Sequence, residues 1–391
     1  MPLFVSLLWA VVLLFASHKN RAKQMLGVFM FVSFLMFLTH FVYYNGYKSI
    51  YLYFDLLFTA GSLTIFPLYY LYIRLLTRSE KLKPKHIRLF IPAFLLFGAS
   101  AFVYSIMSPE LRQYYINNYI FDNQSFSNAH LLIKLQLILL YILQLIYFLQ
   151  IVFSTYKIKK YIDQYNNRIY EFYSNVEDKK MEWPKLIFYS FVCISVVSIA
   201  YNFLGRSYFS QSALALSVPS VSYTILLFSF GYLGNLQNYN IVDYNIDKKA
   251  IPDDDNDIKN TVESNRVKQD VQLQNKLIDA IKQLMENEKI YQKFDLKITD
   301  IAFLLHSNRT YISKAINSHC GCTFNAFVNK YRVAEAKQLL SDSENKYFTL
   351  EFIATKVGFA NIHTFLRVFK ELENTTPGQF RENALNMRDR A

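Results

Sequence analysis

The sequence predicts an all-α protein: a seven-helix transmembrane bundle followed by a cytoplasmic domain of two helix-turn-helix units joined by a linker helix. Three observations predict this class. The first 240 residues contain seven long apolar runs, a polar stretch follows them, and one helical pattern then occurs twice near the C-terminus. Composition shifts give the domain bounds: a membrane domain at 1–237, a flexible linker at 238–269, and a second domain at 270–391 with helix-turn-helix units at about 298–319 and 350–371.

The composition excludes several classes of protein. With 391 residues, 52% of them hydrophobic and 17% aromatic, the chain is too apolar to be disordered and too long for one ordinary domain. Three cysteines exclude a disulfide scaffold, and the Cys320-Gly-Cys322 spacing, with no cluster of His or Cys beside it, is poor for a zinc site. No metal and no cofactor are therefore expected.

The seven apolar runs match the length of membrane-spanning helices, because a bilayer core of about 30 Å needs roughly 20 apolar residues. The first run is followed, not preceded, by Lys19, Arg21 and Lys23, so we interpret it as a retained span and not as a signal peptide. The runs lie near 2–17, 24–44, 51–73, 89–107, 131–153, 185–204 and 212–235.

The distribution of basic residues predicts which side of the membrane each connecting segment lies on. Of the formal net charge of +12, residues 1–240 carry +11, with 20 Lys and Arg against 9 Asp and Glu. The segments after the first, third and fifth spans hold fifteen basic residues, and those after the second, fourth and sixth hold three. By the positive-inside rule, the N-terminus is expected outside and the C-terminal domain in the cytoplasm.

Polar residues inside the apolar runs are candidates for sensing, because their burial in lipid is costly. Asp55 and His40 are the two that we select. The alternative for Asp55 is that it lies near the outer end of its span and meets water there. Gln136 and Gln144 share a helix face, which favours interhelical hydrogen bonds. The polar segment 108–129 is where an external ligand is expected to touch the domain.

The repeat near the C-terminus carries the most information. The stretch ITDIAFLLHSNRTYISKAIN recurs as TLEFIATKVGFANIHTFLRVFK. Each copy reads as a short helix, a tight turn with an Asn N-cap (Asn308 and Asn361), and a second helix with an apolar inner face. The inner residues are Ile312 and Ile316 in the first copy and Phe365 and Phe369 in the second. This pattern predicts two helix-turn-helix units, the alternative being an ordinary helical bundle.

The outward faces of the two second helices point to a partner. They are polar or basic, and no Asp or Glu occurs at 301–334 or 352–370. Such acid-free surfaces suit the phosphates of double-stranded DNA. The helix at 323–340, about 25 Å long, separates the units enough to place two helices in successive major grooves about 34 Å apart. The predicted DNA contacts are Asn308, Arg309, Thr310, Ser313, Lys314, Asn317, Asn361, Ile362, His363, Leu366, Arg367 and Lys370.

The last 100 or so positions resemble the DNA-binding domain of the AraC/XylS transcription regulators. The resemblance rests on IATKVGFANIHTFLRVFKELENTTPGQFRE, with Thr376, Pro377, Phe380 and Arg381, and on CGCTFNAFVNKYRVAEAKQLL. Two residues depart from the family pattern: His306 stands where many relatives have Gly, and Asn374 replaces the usual Gly after the last helix. The resemblance implies base contacts from Thr310, Ser313, Lys314, Ile362, His363 and Leu366, with Arg367 and Lys370 on phosphate.

Together these features predict a regulator and not an enzyme. The leading hypothesis is a multi-pass protein of the bacterial cytoplasmic (inner) membrane that reads DNA in response to a membrane or extracellular signal. Its expected partners are double-stranded DNA, the lipid bilayer, an unknown signal ligand or protein, and a second copy in a homodimer. The alternatives are a transporter or membrane enzyme with an appended DNA-binding domain, and a passive anchor. No HExxH, GxSxG or phosphate-binding Gly loop supports an enzyme.

Overall fold

The computed structural model is helical and divides into two compact units. The first comprises Met1–Gln164 and Met181–Ile241, and the second comprises Tyr165–Lys180 and Val242–Ala391. The structure describes residues 1–15, 20–78, 82–122, 124, 129–177, 179–181, 184, 188–190, 192–193, 213–237, 241–249 and 266–388.

The first unit consists of long apolar helices. Within the described residues, four segments are long and apolar enough to cross a membrane, namely Arg21–Tyr44, Tyr51–Thr77, Pro84–Ile106 and Leu131–Phe172, and Pro2–Phe15 is a shorter apolar helix. The seven-span count and the orientation stay predictions, and most of the sixth predicted run, 185–204, lies outside the described residues. The helices are α1 (Pro2–Phe15), α2 (Arg21–Tyr44), α3 (Tyr51–Thr77), α4 (Ile91–Ile106), α5 (Pro109–Tyr115), α6 (Leu131–Phe172) and α7 (Ala213–Leu236).

Helix α6 links the two units covalently. It has 42 residues, which at 1.5 Å per residue makes it about 63 Å long. It begins at Leu131 in the first unit, and its last residues, from Tyr165 to Phe172, belong to the second unit. One uninterrupted helix therefore joins an apolar span to the second unit.

Asp55 is buried, with 6% of its surface exposed. The hydroxyl of Tyr104 in α4 donates to its Oδ2 at 2.6 Å. The suggestion that Asp55 meets water at the end of its span was therefore wrong, because its side chain is buried and hydrogen-bonded to Tyr104. His40 is exposed, and its ring contacts the carbonyl of Met36 in its own helix. The predicted interhelical bonding of Gln136 is confirmed, since its amide donates to Ser100 of α4.

The second unit is also helical, which confirms the all-α prediction. Among the described residues of the whole chain there is no strand, only an isolated antiparallel bridge between Tyr173 and Lys297. Part of the predicted linker forms a helix, and the rest of it before Arg266 lies outside the described residues. The helices are α8 (Ile241–Lys249), α9 (Arg266–Glu286), α10 (Ile298–Leu304), α11 (Arg309–Cys320), α12 (Phe324–Ser341), α13 (Leu350–Lys356), α14 (Ile362–Glu373) and α15 (Pro377–Arg388).

The inner faces of the repeat form the cores of the second unit. Ile312, Ile316, Phe365 and Phe369 are at most 1% exposed, as the repeat predicts. Helix α12, predicted at 323–340, begins after its N-cap Thr323, whose hydroxyl accepts from a backbone N–H in the first turn. Its 18 residues give it a length of about 27 Å. Its length is therefore close to the roughly 25 Å that the sequence predicts for this helix.

Candidate nucleic-acid interface

The first helix pair consists of α10 and α11 joined by a tight turn. His306 lies in this turn with a φ of 44°, in the left-handed region that favours glycine. Asn308 caps α11, since its Oδ1 accepts from the backbone N–H of Thr310 at 2.7 Å. The cap satisfies a backbone donor that the helix leaves unpaired, so the turn directs α11 away from α10 at a defined residue.

The second pair, α13 and α14, repeats this geometry. Gly358 occupies the turn with a φ of 96°, and an added Cβ would lie 2.6 Å from the carbonyl oxygen of Tyr291. Asn361 caps α14 by accepting from the backbone N–H of Thr364 at 2.9 Å. After α14, Asn374 has a φ of 56°, which confirms that Asn adopts the left-handed conformation that a Gly usually takes there. Helices α11 and α14 are called the reading helices below.

The reading helices present most of the predicted residues outward. The exposed ones are Thr310, Lys314, Asn317, Asn361, His363, Arg367 and Lys370. Asn308, Arg309 and Ser313 are half-buried. Ile362 and Leu366 are also half-buried, and both pack against the core around α12 and α13. The two apolar side chains are thus partly packed within the protein, while most of the polar and basic residues are exposed.

Two carboxylates from far along the chain contact these helices. Glu171, in the last turn of α6, accepts from the Ser313 hydroxyl at 2.9 Å and from the Asn317 amide at 3.3 Å. Glu177 accepts from Nη2 of Arg367 at 2.8 Å. The same guanidinium also donates to Glu371, one turn along α14. The predicted DNA-binding faces of α11 and α14 therefore contact acidic residues that come from a different part of the chain.

The surroundings of Glu177 stabilise the ionised form of its side chain. Burial alone would raise its pKa, but hydrogen bonds and charge from Lys180 and Arg367 outweigh this and hold the pKa of Glu177 below its ordinary value. Glu177 is therefore ionised at neutral pH when it contacts Arg367.

The residues between these carboxylates are anchored in the second unit by a buried arginine. Arg332 of α12 is 0% exposed. Its guanidinium donates to Asn175 Oδ1 at 2.9 Å and Ser174 Oγ at 3.1 Å, and to the carbonyls of Tyr291 at 2.8 Å and Lys293 at 3.1 Å. Burial lowers its pKa to about 9, so it remains charged at neutral pH.

Asn175 extends this network. Its amide donates to the carbonyls of Phe294 and of Gly358, the latter at 3.3 Å. The backbone N–H of Ser174 donates to the carbonyl of Leu296 at 3.0 Å. Residues 171–177, called the 171–177 segment below, therefore contact both helix pairs and the residues that precede α10.

Sequence reasoning missed this segment and its anchor. One local signal existed for the anchor: Arg332 lies four residues from both Val328 and Ala336, within the buried stripe of α12, where a charge needs partners. No local signal existed for Glu171 or Glu177, because their contacts join residues 142 and 190 positions apart.

Comparisons with known proteins place the match in this part of the chain. Residues 301–383 match a family described as "Helix-turn-helix domain". Over 100 residues the chain is 33% identical to the "Uncharacterized HTH-type transcriptional regulator YtdP" of Bacillus subtilis (strain 168). This match covers 25% of this chain and 13% of that protein. Over 101 residues it is 35% identical to the "Probable transcription factor PqrA" of Proteus vulgaris, covering 26% of this chain and 75% of that protein.

A solved structure is also similar. The C-terminal domain of AraT, a response regulator from Geobacillus stearothermophilus, is 24% identical, with a TM-score of 0.24, and the match covers 27% of this chain and 84% of that chain.

Proposed function

This chain belongs to the AraC/XylS-type family of helix-turn-helix transcriptional regulators, and on this premise we propose that it regulates transcription by binding duplex DNA through both reading helices. The observation that carries the proposal is the duplicated turn geometry. Each copy has a left-handed turn residue, an Asn N-cap and a second helix with an exposed polar face. A helix presented in this way fits the DNA major groove.

The proposed contacts divide by chemistry. Thr310, Ser313 and Lys314 of α11, with Ile362, His363 and Leu366 of α14, face base edges. Lys and Ser can hydrogen-bond there, and the two aliphatic side chains can contact thymine methyl groups. Arg367 and Lys370 face phosphate, while Asn308, Arg309, Asn317 and Asn361 border the same surface.

We further propose that the first unit spans the bacterial cytoplasmic membrane, with the N-terminus outside, and passes a signal to the second unit. The four apolar helices and the bias of basic residues support this placement. The buried hydrogen bond between Asp55 and Tyr104 supports Asp55 as a sensing residue, because polar groups buried in apolar spans are costly to retain. A homodimer remains part of this proposal.

Binding to selected DNA tests the reading helices. The full chain in lipid nanodiscs would select duplexes from a random 40-base-pair pool. The Lys314→Ala/Arg367→Ala double variant is then expected to bind the selected duplex about 10- to 100-fold more weakly, with a shallower dependence on salt. Lys330→Ala/Lys346→Ala, at exposed lysines outside the reading helices, is the matched control. Equal affinity and equal salt dependence for wild type and the first variant would reject these residues as DNA contacts.

Cysteine labelling tests the membrane orientation. In a chain whose Cys193, Cys320 and Cys322 are replaced by serine, Lys48→Cys is expected to react with an impermeant maleimide added outside intact cells. Lys157→Cys is expected to react only after lysis, because the basic segments face the cytoplasm. The opposite pattern would reject the orientation, and equal labelling of both positions before lysis would reject the membrane placement.

A further inference from the structure

We propose that the 171–177 segment is an internal competitor for DNA, with Glu171 and Glu177 bound to the reading helices in place of the nucleic acid. The inference rests on the proposed function, which makes the same helix faces the DNA-binding surface. It adds a regulatory mechanism: the signal acts by withdrawing these two carboxylates.

The two carboxylates are chemically equivalent to DNA phosphates as hydrogen-bond acceptors. A carboxylate and a phosphate both offer anionic oxygens to hydroxyl, amide and guanidinium donors. Ser313 and Asn317 donate to Glu171, and Arg367 donates to Glu177 at 2.8 Å. These three donors cannot give the same hydrogen bonds to DNA while the carboxylates hold them.

The 171–177 segment contacts both reading helices at once. Glu171 contacts α11 and Glu177 contacts α14, and only five residues separate the two glutamates in the chain. Because the proposed DNA site needs both helices, one short segment is enough to block it.

The contacts of the 171–177 segment differ in how deeply they are buried. Arg332 and Asn175 hold the centre of the segment and are buried, at 0% and 6% exposed. In contrast, the side chain of Arg367 is 46% exposed and that of Glu177 is 19% exposed, and Asn317 is exposed. Exposed polar pairs are weak and reversible. The anchor therefore keeps the carboxylates close to the reading helices, and the outer contacts are those that DNA or a signal displaces.

Helix α6 connects the 171–177 segment to the first unit. Glu171 is the second-last residue of α6, which runs without interruption from Leu131. A rotation or axial shift of this helix moves Glu171 with it, because a helix transmits such motion along its length. A change in the first unit thus has a direct mechanical route to one of the two competing carboxylates.

The test compares two charge-matched double variants of the full chain in nanodiscs. Glu171→Gln/Glu177→Gln removes both carboxylate charges. Glu344→Gln/Glu351→Gln removes two exposed charges of the same unit, and both residues lie outside the reading helices. The probe is a 40-base-pair duplex selected from a random pool by the wild-type chain, and the measurement is fluorescence anisotropy at fixed salt.

The first variant is expected to bind about tenfold more tightly than wild type, because an apparent dissociation constant scales inversely with the fraction of protein that is open. The control is expected to match wild type. Equal affinity of both double variants and wild type for the duplex would overturn the competition and leave the proposed function intact. If neither wild type nor the first variant selected any duplex, the proposed function would be rejected, and the inference with it.

A cross-linking measurement tests the contact itself and does not depend on affinity. In a chain with the three native cysteines replaced by serine, Glu171→Cys/Ser313→Cys is expected to react with a short bis-methanethiosulfonate, and saturating duplex is expected to reduce the yield severalfold. Glu344→Cys/Ser313→Cys is the control pair. A cross-link yield that saturating duplex leaves unchanged would overturn the proposal, because it would show that segment and DNA occupy the helix together.

Discussion

The guanidinium of Arg332 donates to the side-chain oxygen of Asn175 at 2.9 Å across 157 positions of sequence. Both residues are buried, and both also bind backbone carbonyls of other segments. This pair joins the residues after the long helix α6 to α12, the helix between the two helix pairs. Through this pair, residues that lie between the fifth and sixth predicted spans pack within the second unit.

Replacing Arg332 is expected to destabilise the second unit. Arg332→Met removes four hydrogen bonds and leaves the carbonyls of Tyr291 and Lys293 without this donor, which should cost about 2–4 kcal/mol. Hydrogen exchange of the full chain measures the effect as lost protection at 174–175 and 291–296. Lys330→Met, at an exposed position of the same helix, is the control. Protection equal to wild type in Arg332→Met would contradict the role of this network.

Gly358 is expected to tolerate no side chain. Gly358→Ala places a Cβ 2.6 Å from the Tyr291 carbonyl oxygen at a φ of 96°, and a clash with backbone at a strained conformation should cost about 3 kcal/mol or more. The thermal midpoint of the second unit measures this loss. Gly378→Ala, with no neighbour within 4 Å of the added Cβ, is the matched control and should change the midpoint little.

At His306 the reverse change, to glycine, is expected to be favourable. It occupies the equivalent turn with a φ of 44°, a conformation that costs an L-residue free energy but not glycine. His306→Gly is therefore expected to stabilise the second unit by about 0.5–1 kcal/mol, after the greater chain entropy of unfolded glycine is deducted. A thermal midpoint below that of wild type would show that the imidazole makes a stabilising interaction that outweighs the backbone strain.

The stability of the second unit is expected to fall in acid through Glu335. Burial raises the pKa of this carboxyl, but hydrogen bonds from Lys289 and Gln292 outweigh burial, and the net pKa lies below the ordinary 4.5. A lowered pKa in the folded state means that its contribution is present above pH 4.5 and is lost as pH falls through the folded value. Lys289 is half exposed, so we expect a contribution of only about 1 kcal/mol.

Thermal midpoints between pH 7 and pH 3 measure this contribution. Glu335→Gln is expected to be less stable than wild type at pH 7 and to lose less stability on acidification. Glu344→Gln, at an exposed carboxyl, is the control. Parallel pH profiles for wild type and Glu335→Gln would show that Glu335 does not carry the acid dependence.

Local pattern predicted the elements of the second unit closely. The Asn N-caps at 308 and 361, the buried Ile312 and Phe365, and the helix between the units all follow from residue types at helical spacing. Capping and amphipathic burial act over one or two helical turns, so a linear sequence displays them.

The burial of Asp55 was not predictable in the same way. Its position near the end of an apolar run suggested contact with water, but it is buried and accepts a hydrogen bond from Tyr104, 49 positions later. Whether a polar side chain near a helix end meets water or another helix depends on the packing of that helix, which hydrophobic periodicity does not contain.

By itself, the sequence determined that the chain is helical, that an apolar part precedes a duplicated helix-turn-helix, and that the reading faces lack acidic residues of their own. Only the tertiary structure decided what those faces touch. It places Glu171 and Glu177 against Ser313 and Arg367, with Arg332 holding the segment between them. The physical reason is range: helix formation is encoded by neighbours in sequence, whereas a carboxylate pairs with whichever donor the fold brings within 3 Å or so, at any separation along the chain.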